Sequence, residues 1–250
     1  MRLVILGGGG FRVPLVHARL LADPLRLVRE VVLHDVDAAR LGVLSQVLDQ
    51  QASTHPSAAR PVLRVTTDLD AALSGADMVF AAIRVGGLAG RVLDERVALA
   101  HGVLGQETVG AGGISYGLRT IPVVMDIARR LARLAPDAWL INFTNPAGMV
   151  TEAMSTVLGP RVIGICDSPV GLCRRVAESL GVPPARAWFD YVGLNHLGWL
   201  RAVVVSGRDV LPTLLADDAA LASFEEGRLF GADRLRALRA VPNEYLHYYY

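Results

Sequence analysis

Leu3-Val4-Ile5-Leu6-Gly7-Gly8-Gly9-Gly10-Phe11-Arg12-Val13-Pro14 is the stretch on which the fold turns. Four apolar residues read as a strand, and the glycines let the backbone reverse tightly. Pro14, whose φ is already that of a helix, opens an amphipathic segment over 14–22. A strand that enters a glycine turn and leaves through a helix N-terminus aims backbone N–H groups at one point, which suits the pyrophosphate of a dinucleotide. Gly7 and Gly9 stand at the first two positions of the G-x-G-x-x-G spacing with Gly8 between them, while Arg12 takes the third. The next strand, over 30–34, ends at His34-Asp35, where a carboxylate is placed for ribose hydroxyls and favours NAD. A glycine turn that binds nothing has the same composition; the order of strand, turn, helix and terminal acid argues for the site.

The alternation continues outward. Helices are expected over 38–51, 70–74, 121–135, 146–158 and 170–180, and strands over 62–66, 78–83, 139–142 and 161–165. Short apolar runs separated by helices describe a parallel sheet covered on both faces. The expected fold class is α/β, a doubly wound, Rossmann-like NAD-binding domain over 1–183. From 184 the pattern changes. Segments 189–194 and 200–205 alternate as antiparallel strands, Ser206-Gly207 reads as a hairpin turn, and 212–238 reads as helical with Gly227 and Gly231 as weak points. Segment 184–250 is therefore expected to begin a mixed α+β substrate domain that is incomplete, because 245–250 is apolar and lacks a polar tail.

Composition narrows the classes. Of 250 residues 52% are hydrophobic and 20% charged, enough for a large core and too apolar for disorder. The 25 basic side chains are all arginine, and they balance 24 acids to a net charge of +1 without a basic block, which argues against nucleic-acid and membrane-surface partners. The opening apolar run is too short for a signal peptide, and no run approaches the roughly 20 apolar residues of a membrane span, so a cytoplasmic location is expected. Cys166 and Cys173 then read as thiols, Cys173 as a core residue.

The polar candidates cluster at strand ends. Cys166 follows the strand over 161–165, and His196 lies in Gly193-Leu194-Asn195-His196-Leu197. A thiolate and an imidazole suit a borderline transition metal whose open positions go to substrate or water. Taken singly, a buried small residue and a hydrogen-bonded loop histidine are the plainer alternatives. In Ile141-Asn142-Phe143-Thr144-Asn145-Pro146 the amides could contact a ligand or cap the next helix. Arg84 ends another strand, followed by Arg91 and by Gly105-Gln106-Glu107-Thr108. The guanidinium fork of Arg91 suits a phosphate, although most arginines here must simply face solvent.

Together the segments 84–91, 105–108, 142–146, 166–169, 193–197 and 245–250 resemble glycoside hydrolase family 4, most closely its 6-phospho-β-glucosidase branch, along the whole chain. That family stands apart from the glycosidases that work with two carboxylates. The resemblance implies that bound NAD oxidises the sugar at C3, a tyrosinate takes the acidified C2 proton, the aglycone leaves from C1, water adds and the hydride returns. It also implies a divalent metal, usually Mn2+, that polarises the C2 and C3 oxygens. Carried over by residue, Cys166 and His196 are the metal ligands, Tyr245 the base, Glu107 the acid that raises its basicity and Asp167 the leaving-group acid. Gly7, Gly8, Gly9, Asp35 and Arg84 bind the cofactor, and Arg91, Asn145 and Asn195 bind substrate, a phosphorylated disaccharide or aryl glucoside. Asp167 stands where the β-branch often has Asn, which leaves the anomeric preference open. Family members continue further and are expected to be homo-oligomeric, so this chain is expected to be a fragment or split-gene product, with a poorly anchored terminal segment and Tyr245 away from Cys166 and His196. The competing readings are an NAD-dependent 2-hydroxyacid or malate-type dehydrogenase, which needs no thiolate ligand, and a non-catalytic NAD-binding fragment.

Overall fold

The protein is described by a computed structural model covering residues 1–55, 60–194 and 196–249. It divides into two compact units, Met1–Ile165 and Cys166–Tyr250.

The first unit is built on six parallel strands in the order β3-β2-β1-β4-β5-β6: β1 Arg2–Leu6, β2 Glu30–His34, β3 Val62–Thr66, β4 Met78–Ala81, β5 Trp139–Asn142 and β6 Val162–Gly164. Helices α1 Val13–Leu21, α2 Ala38–Thr54, α3 Leu69–Leu73, α4 Gly87–Ala100, α5 Gly110–Leu134 and α6 Ala147–Leu158 connect them. Successive strand residues face opposite sides of a sheet. Leu3 and Ile5 of β1 accordingly join Val13, Leu41 and Leu48 of α1 and α2, whereas Val4 and Leu6 join Ile127, Leu131 and Met154 of α5 and α6. The doubly wound sheet expected from the sequence is the one observed. The strand order reverses between β1 and β4, and a crevice at the C-terminal ends of such strands is where ligands sit in open α/β sheets.

Two elements depart from expectation. Helix α4 was not expected, and α5 begins at Gly110 instead of 121. Glycines mask the helical signal at both places. At Gly112 a Cβ would lie 2.2 Å from the Gln106 carbonyl oxygen, so the first turn of α5 can pack there only as bare backbone. Among the described residues no helix is long and apolar enough to cross a membrane.

The second unit begins with α7 Ser168–Ser179, followed by β7 Ala187–Leu194, β8 Leu197–Val205 and β9 Arg208–Asp209. Four short helices, α8 Leu211–Ala216, α9 Asp218–Ser223, α10 Glu225–Phe230 and α11 Ala232–Leu238, precede β10 Val241–Pro242 and a 3-10 turn at Glu244–Tyr248. The sheet is antiparallel in the order β10-β8-β7, with β9 on β8. The Ser206-Gly207 turn forms as expected, both residues at positive φ, and joins β8 to β9. The continuous helical stretch over 212–238 does not form. Asp217 caps α9 by accepting from the Ala219 and Ala220 N–H groups, Phe224 is extended, and Gly231 sits at a φ of 77°. Gly227, expected to be a weak point, lies inside α10. By packing, α7 belongs to the second unit, since Leu172 and Val176 share a core with Leu200, Val203, Leu214 and Leu246. The compact units divide after Ile165, and the 183/184 boundary expected from the sequence marks the change in strand pattern.

Gly227 supplies the stability test. A Cβ there would meet the Leu221 carbonyl oxygen at 1.7 Å, whereas one at Gly42 of α2 meets nothing within 4 Å. Gly227→Ala should lower stability by about 1–3 kcal/mol or more through overpacking. Gly42→Ala should raise it by about 0.5–1 kcal/mol, the ordinary gain of Ala over Gly in a helix. Urea unfolding followed by tryptophan fluorescence measures both, and equal effects would show that the α9–α10 approach is not tight.

Candidate active site

In the first unit the glycine turn is tied to the neighbouring strand by hydrogen bonds. The Gly7 and Gly8 N–H groups donate to the His34 carbonyl at 3.0 and 2.8 Å, and Gly10 N–H donates to the Gly7 carbonyl at 2.9 Å. Gly7 has a φ of 84°, and a Cβ on it would lie 2.4 Å from the Ala82 carbonyl oxygen, so β1 can turn beside β4 only at a glycine. Arg12 at the third fingerprint position has a φ of −80°, ordinary helical backbone, so the departure from glycine costs the turn nothing. Its guanidinium lies over the rings of Phe11 and Phe143, at 4.7 and 4.9 Å. The half-buried Asp35 carboxylate accepts from the N–H groups of Gly9 at 2.9 Å and of Asp37 at 3.1 Å, one on each oxygen. Each carboxylate oxygen has two lone pairs, so the geometry that locks the turn still fits a ribose. The glycine turn, the α1 N-terminus and Asp35 thus form a cradle that suits a dinucleotide.

Beyond β4 the expected site residues come together. Arg84 Nη1 donates to Glu107 Oε2 at 2.6 Å, and Arg91 Nε is 3.6 Å from the same oxygen and 2.9 Å from Glu95. Glu107 is buried, so its charge requires these partners. Tyr116, which the sequence did not single out, lies beneath them at 2% exposure, with the Arg84 and Arg119 guanidinium carbons 5.5 and 5.4 Å from its ring centre. Burial pushes its phenol above the usual range. Arg119 clasps Asp94 with two hydrogen bonds, at 3.0 and 2.6 Å, and its Nε donates to the Val85 carbonyl at 3.0 Å, which braces the backbone next to Arg84. The same bonds hold the Asp94 carboxyl below the usual carboxylate range.

At the end of β5 the two amides part in role. Asn142 is buried and its Nδ2 donates to the Thr144 and Ala147 carbonyls and to Thr151 Oγ1, at 3.2, 3.4 and 3.1 Å. It holds the loop. Asn145, half-buried and joined to Pro146 by a cis peptide bond, is not the cap of α6, whose N-cap residue is Pro146.

In the second unit, Cys166 Sγ lies 3.5 Å from His196 Nε2. Metal bonds of about 2.3 Å to sulfur and about 2.1 Å to nitrogen separate the two donors by roughly 3.1–3.6 Å for angles between about 90° and 109°. The pair therefore fits one ion. Among the described residues no cluster of three or more His, Cys, Asp or Glu side chains that could hold a metal is found, and Cys166 and His196 stand as a pair. His196 closes the β7–β8 hairpin at a φ of 63°, a conformation that histidine tolerates better than most residues. Asn195 lies outside the described residues.

Tyr245 overturns the expectation for the terminal segment. Its ring stacks face to face on the His196 imidazole, with centroids 3.6 Å apart and planes within 2°. The segment is anchored because Leu246 is buried in the core of this unit. Asn243, also missed in the sequence, accepts from the Tyr245 N–H at 3.0 Å. Next to it, Glu244 accepts from the Ser168 hydroxyl, and burial raises its carboxyl above the usual range. Asp167 is the exposed N-cap residue of α7, and its carboxylate makes no capping bond. An Asn just before a turn is the sequence signal that could have revealed Asn243; Tyr116, in a glycine-rich helix, has none.

Comparison with known proteins agrees with this geometry. The 6-phospho-beta-glucosidase of Escherichia coli K12 is 37% identical over 261 residues, covering all of this chain and 58% of the relative. The 6-phospho-alpha-glucosidase 1 of Lacticaseibacillus paracasei is 38% identical over 217 residues, 85% of this chain and 48% of the relative. The 6-phospho-beta glucosidase of Thermotoga maritima, solved with manganese, NAD+ and glucose-6-phosphate, superposes with a TM-score of 0.86 at 29% identity, over all of this chain and 59% of its own. The dehydrogenase reading meets a likeness of fold alone, as in the lactate dehydrogenase of Eimeria maxima at 16% identity and a TM-score of 0.64. The chain thus spans about half to three fifths of the length of these phosphoglucosidase relatives. A model of family 4 glycosyl hydrolases matches residues 2–182 and a model of their C-terminal domain matches 191–250, and the chain belongs to glycosyl hydrolase family 4.

Proposed function

We propose that this protein hydrolyses the O-glycosidic bonds of 6-phospho-glucosides, by oxidation at C3, elimination across C1–C2 and addition of water. The observation that carries the reading is the meeting of the Cys166 thiol, the His196 imidazole and the Tyr245 ring in the second unit of a family 4 chain. When bound, NAD supplies a hydride acceptor that is regenerated in each turnover, and a divalent cation, Mn2+ by analogy with the Thermotoga enzyme, supplies positive charge at the sugar oxygens.

The chain's own residues do the remainder. The turn at Gly7, Gly8 and Gly9 with the α1 N-terminus holds the pyrophosphate, Asp35 holds a ribose and Arg84 flanks the cofactor. Cys166 and His196 hold the cation. Tyr245 takes the proton from C2, and a phenol with an ordinary pKa near 10 needs nearby positive charge to act as a base at neutral pH. Asp167, exposed at the N-terminus of α7 beside Cys166, protonates the departing oxygen. Arg91, Asn145 and Asn195 bind the sugar phosphate, and Glu107, which the family resemblance links to the basicity of the tyrosine, orients Arg84 and Arg91. The α and β relatives match at nearly the same identity, so the reading includes both anomers. A cytoplasmic location suits a charged sugar phosphate that does not cross membranes unaided. The exposed Leu88, Leu93, Ile114 and Leu118 of α4 and α5 support a homo-oligomer.

Three measurements on the complete protein test this. Asp35→Ala should weaken NAD binding by about 1–3 kcal/mol in calorimetry, the scale of lost charge-assisted hydrogen bonds; unchanged affinity removes Asp35 from the ribose site. Cys166→Ser and His196→Ala should each abolish Mn2+-dependent turnover of 6-phospho-α- and 6-phospho-β-glucosides while NAD affinity holds; a variant that regains wild-type activity after chelation and metal re-addition refutes the ligand pair. Tyr245→Phe should lower kcat by roughly 10²–10⁴, the range for a lost general base. Turnover in deuterated water should place deuterium at C2 of the product sugar, and a Tyr245→Phe enzyme that still does so would sink the assignment.

A further inference from the structure

Face-to-face stacking is not what two rings choose unaided, since their quadrupoles favour offset or edge-on arrangements. A stack at 3.6 Å with parallel planes therefore has to be imposed on Tyr245 and His196 by the surrounding chain. One buried side chain touches several of the segments around them. Asn243 is 0% exposed, so each of its polar groups requires a partner inside the protein. A backbone N–H can only donate, so the N–H of Tyr245 fixes the amide oxygen of Asn243 towards it, at 3.0 Å. The amide nitrogen is left to donate to Ser168 Oγ at 3.1 Å and to Tyr191 Oη at 3.3 Å. The Ser168 hydroxyl in turn donates to Glu244. The backbone N–H of Asn243 donates to the Gly198 carbonyl at 2.9 Å. Ser168 is two residues past Cys166, Gly198 two past His196 and Tyr245 two past Asn243.

We propose that Asn243 is the positioning residue of the site, its single amide tying the tyrosine segment to the start of α7 and to β7 so that Tyr245 is held against His196. The proposal rests on the reading of Tyr245 as the base. Asn243 acts through Tyr245, whose backbone N–H its amide oxygen holds. A side chain that merely caps the 3-10 turn would need only its oxygen; serine supplies that oxygen and is among the preferred capping residues, but it is too short to reach Ser168 and Tyr191.

Asn243→Ser separates the two roles, with Asn243→Ala and Tyr191→Phe beside it. In the wild-type chain labelled at histidine, the His196 ring protons should be shielded by the Tyr245 ring, the signal being assigned by its loss in His196→Gln. Asn243→Ser and Asn243→Ala should both lose that shielding, although Ser should recover much of the thermal stability that Ala forfeits. Tyr191→Phe, which keeps its ring and removes one partner of the amide, should move the signal the same way by less, and it decides the matter if the Asn243 variants do not fold. In the complete enzyme, Asn243→Ser should lower kcat about 10- to 100-fold, the scale of a misplacement near 1 Å, with KM and NAD affinity within about twofold of wild type. Wild-type shielding and kcat in Asn243→Ser would reduce Asn243 to a cap and overturn the proposal, as would an unshifted signal in Tyr191→Phe. If wild-type shielding is present and lost as expected while the wild-type enzyme hydrolyses no phosphoglucoside, the proposed function fails and the positioning role stands.

Discussion

The first unit depends on β1 being buried on both faces. Its alternate side chains feed two separate cores, Leu3 and Ile5 on one side and Val4 and Leu6 on the other. Each fully buried aliphatic side chain contributes about 1.5–3 kcal/mol, so this five-residue strand is among the most stabilising segments of the chain. Burial on both faces also determines where the site lies. The strand order reverses at β1, and the backbone leaving it turns beside β4 under the steric limit set by Ala82. Gly7, Asp35, Arg84 and Asn145 follow the C-terminal ends of β1, β2, β4 and β5, on one edge of the sheet. The placement of the candidate cofactor residues is thus a consequence of core packing.

Electrostatics in that unit obeys the same economy of buried groups. Glu107 is buried with an arginine at hydrogen-bond distance and a second nearby, and Asp94 is buried with both oxygens on Arg119. Removing one partner of such a pair leaves a buried charge uncompensated, which typically costs about 3–5 kcal/mol. Arg84 and Arg119 also lie over the Tyr116 ring, so cation–π attraction adds to the pairing. The second unit combines neutral hydrogen bonds with an ion pair. Buried Asn243 and Ser168 bond with half-buried Tyr191 around the tyrosine segment, and Arg175, paired with Glu226, lies 3.5 Å from Glu244.

Much of this was legible in the sequence wherever the physics is local. The strand, glycine turn and helix at 3–14, the acid ending β2 and the six strands of the parallel sheet follow from the periodicity of apolar residues and from the backbone freedom of glycine. The candidate residues Arg84, Arg91 and Glu107 do meet, as do Cys166 and His196. The misreadings share a cause as well. Glycines at 86–90 and 110–117 hid α4 and the start of α5, because glycine selected for close approach looks the same in sequence as glycine selected for a turn. The stretch 212–238 keeps helical periodicity through breaks that are set by a cap at Asp217, the extended Phe224 and Gly231.

The sequence by itself determined the fold class, the edge of the sheet that carries the glycine turn, and family membership, because those are written in short-range patterns and ordered motifs. Tertiary structure alone decided that the tyrosine near the chain's end is anchored, that its ring lies on His196, and that Asn243 and Tyr116 are buried beside candidate residues. A buried amide finds its partners 52 and 75 residues away, at Tyr191 and Ser168, and a ring finds its stack across a similar length of chain. Such pairings depend on which surfaces the core brings together, and no spacing in the sequence records them.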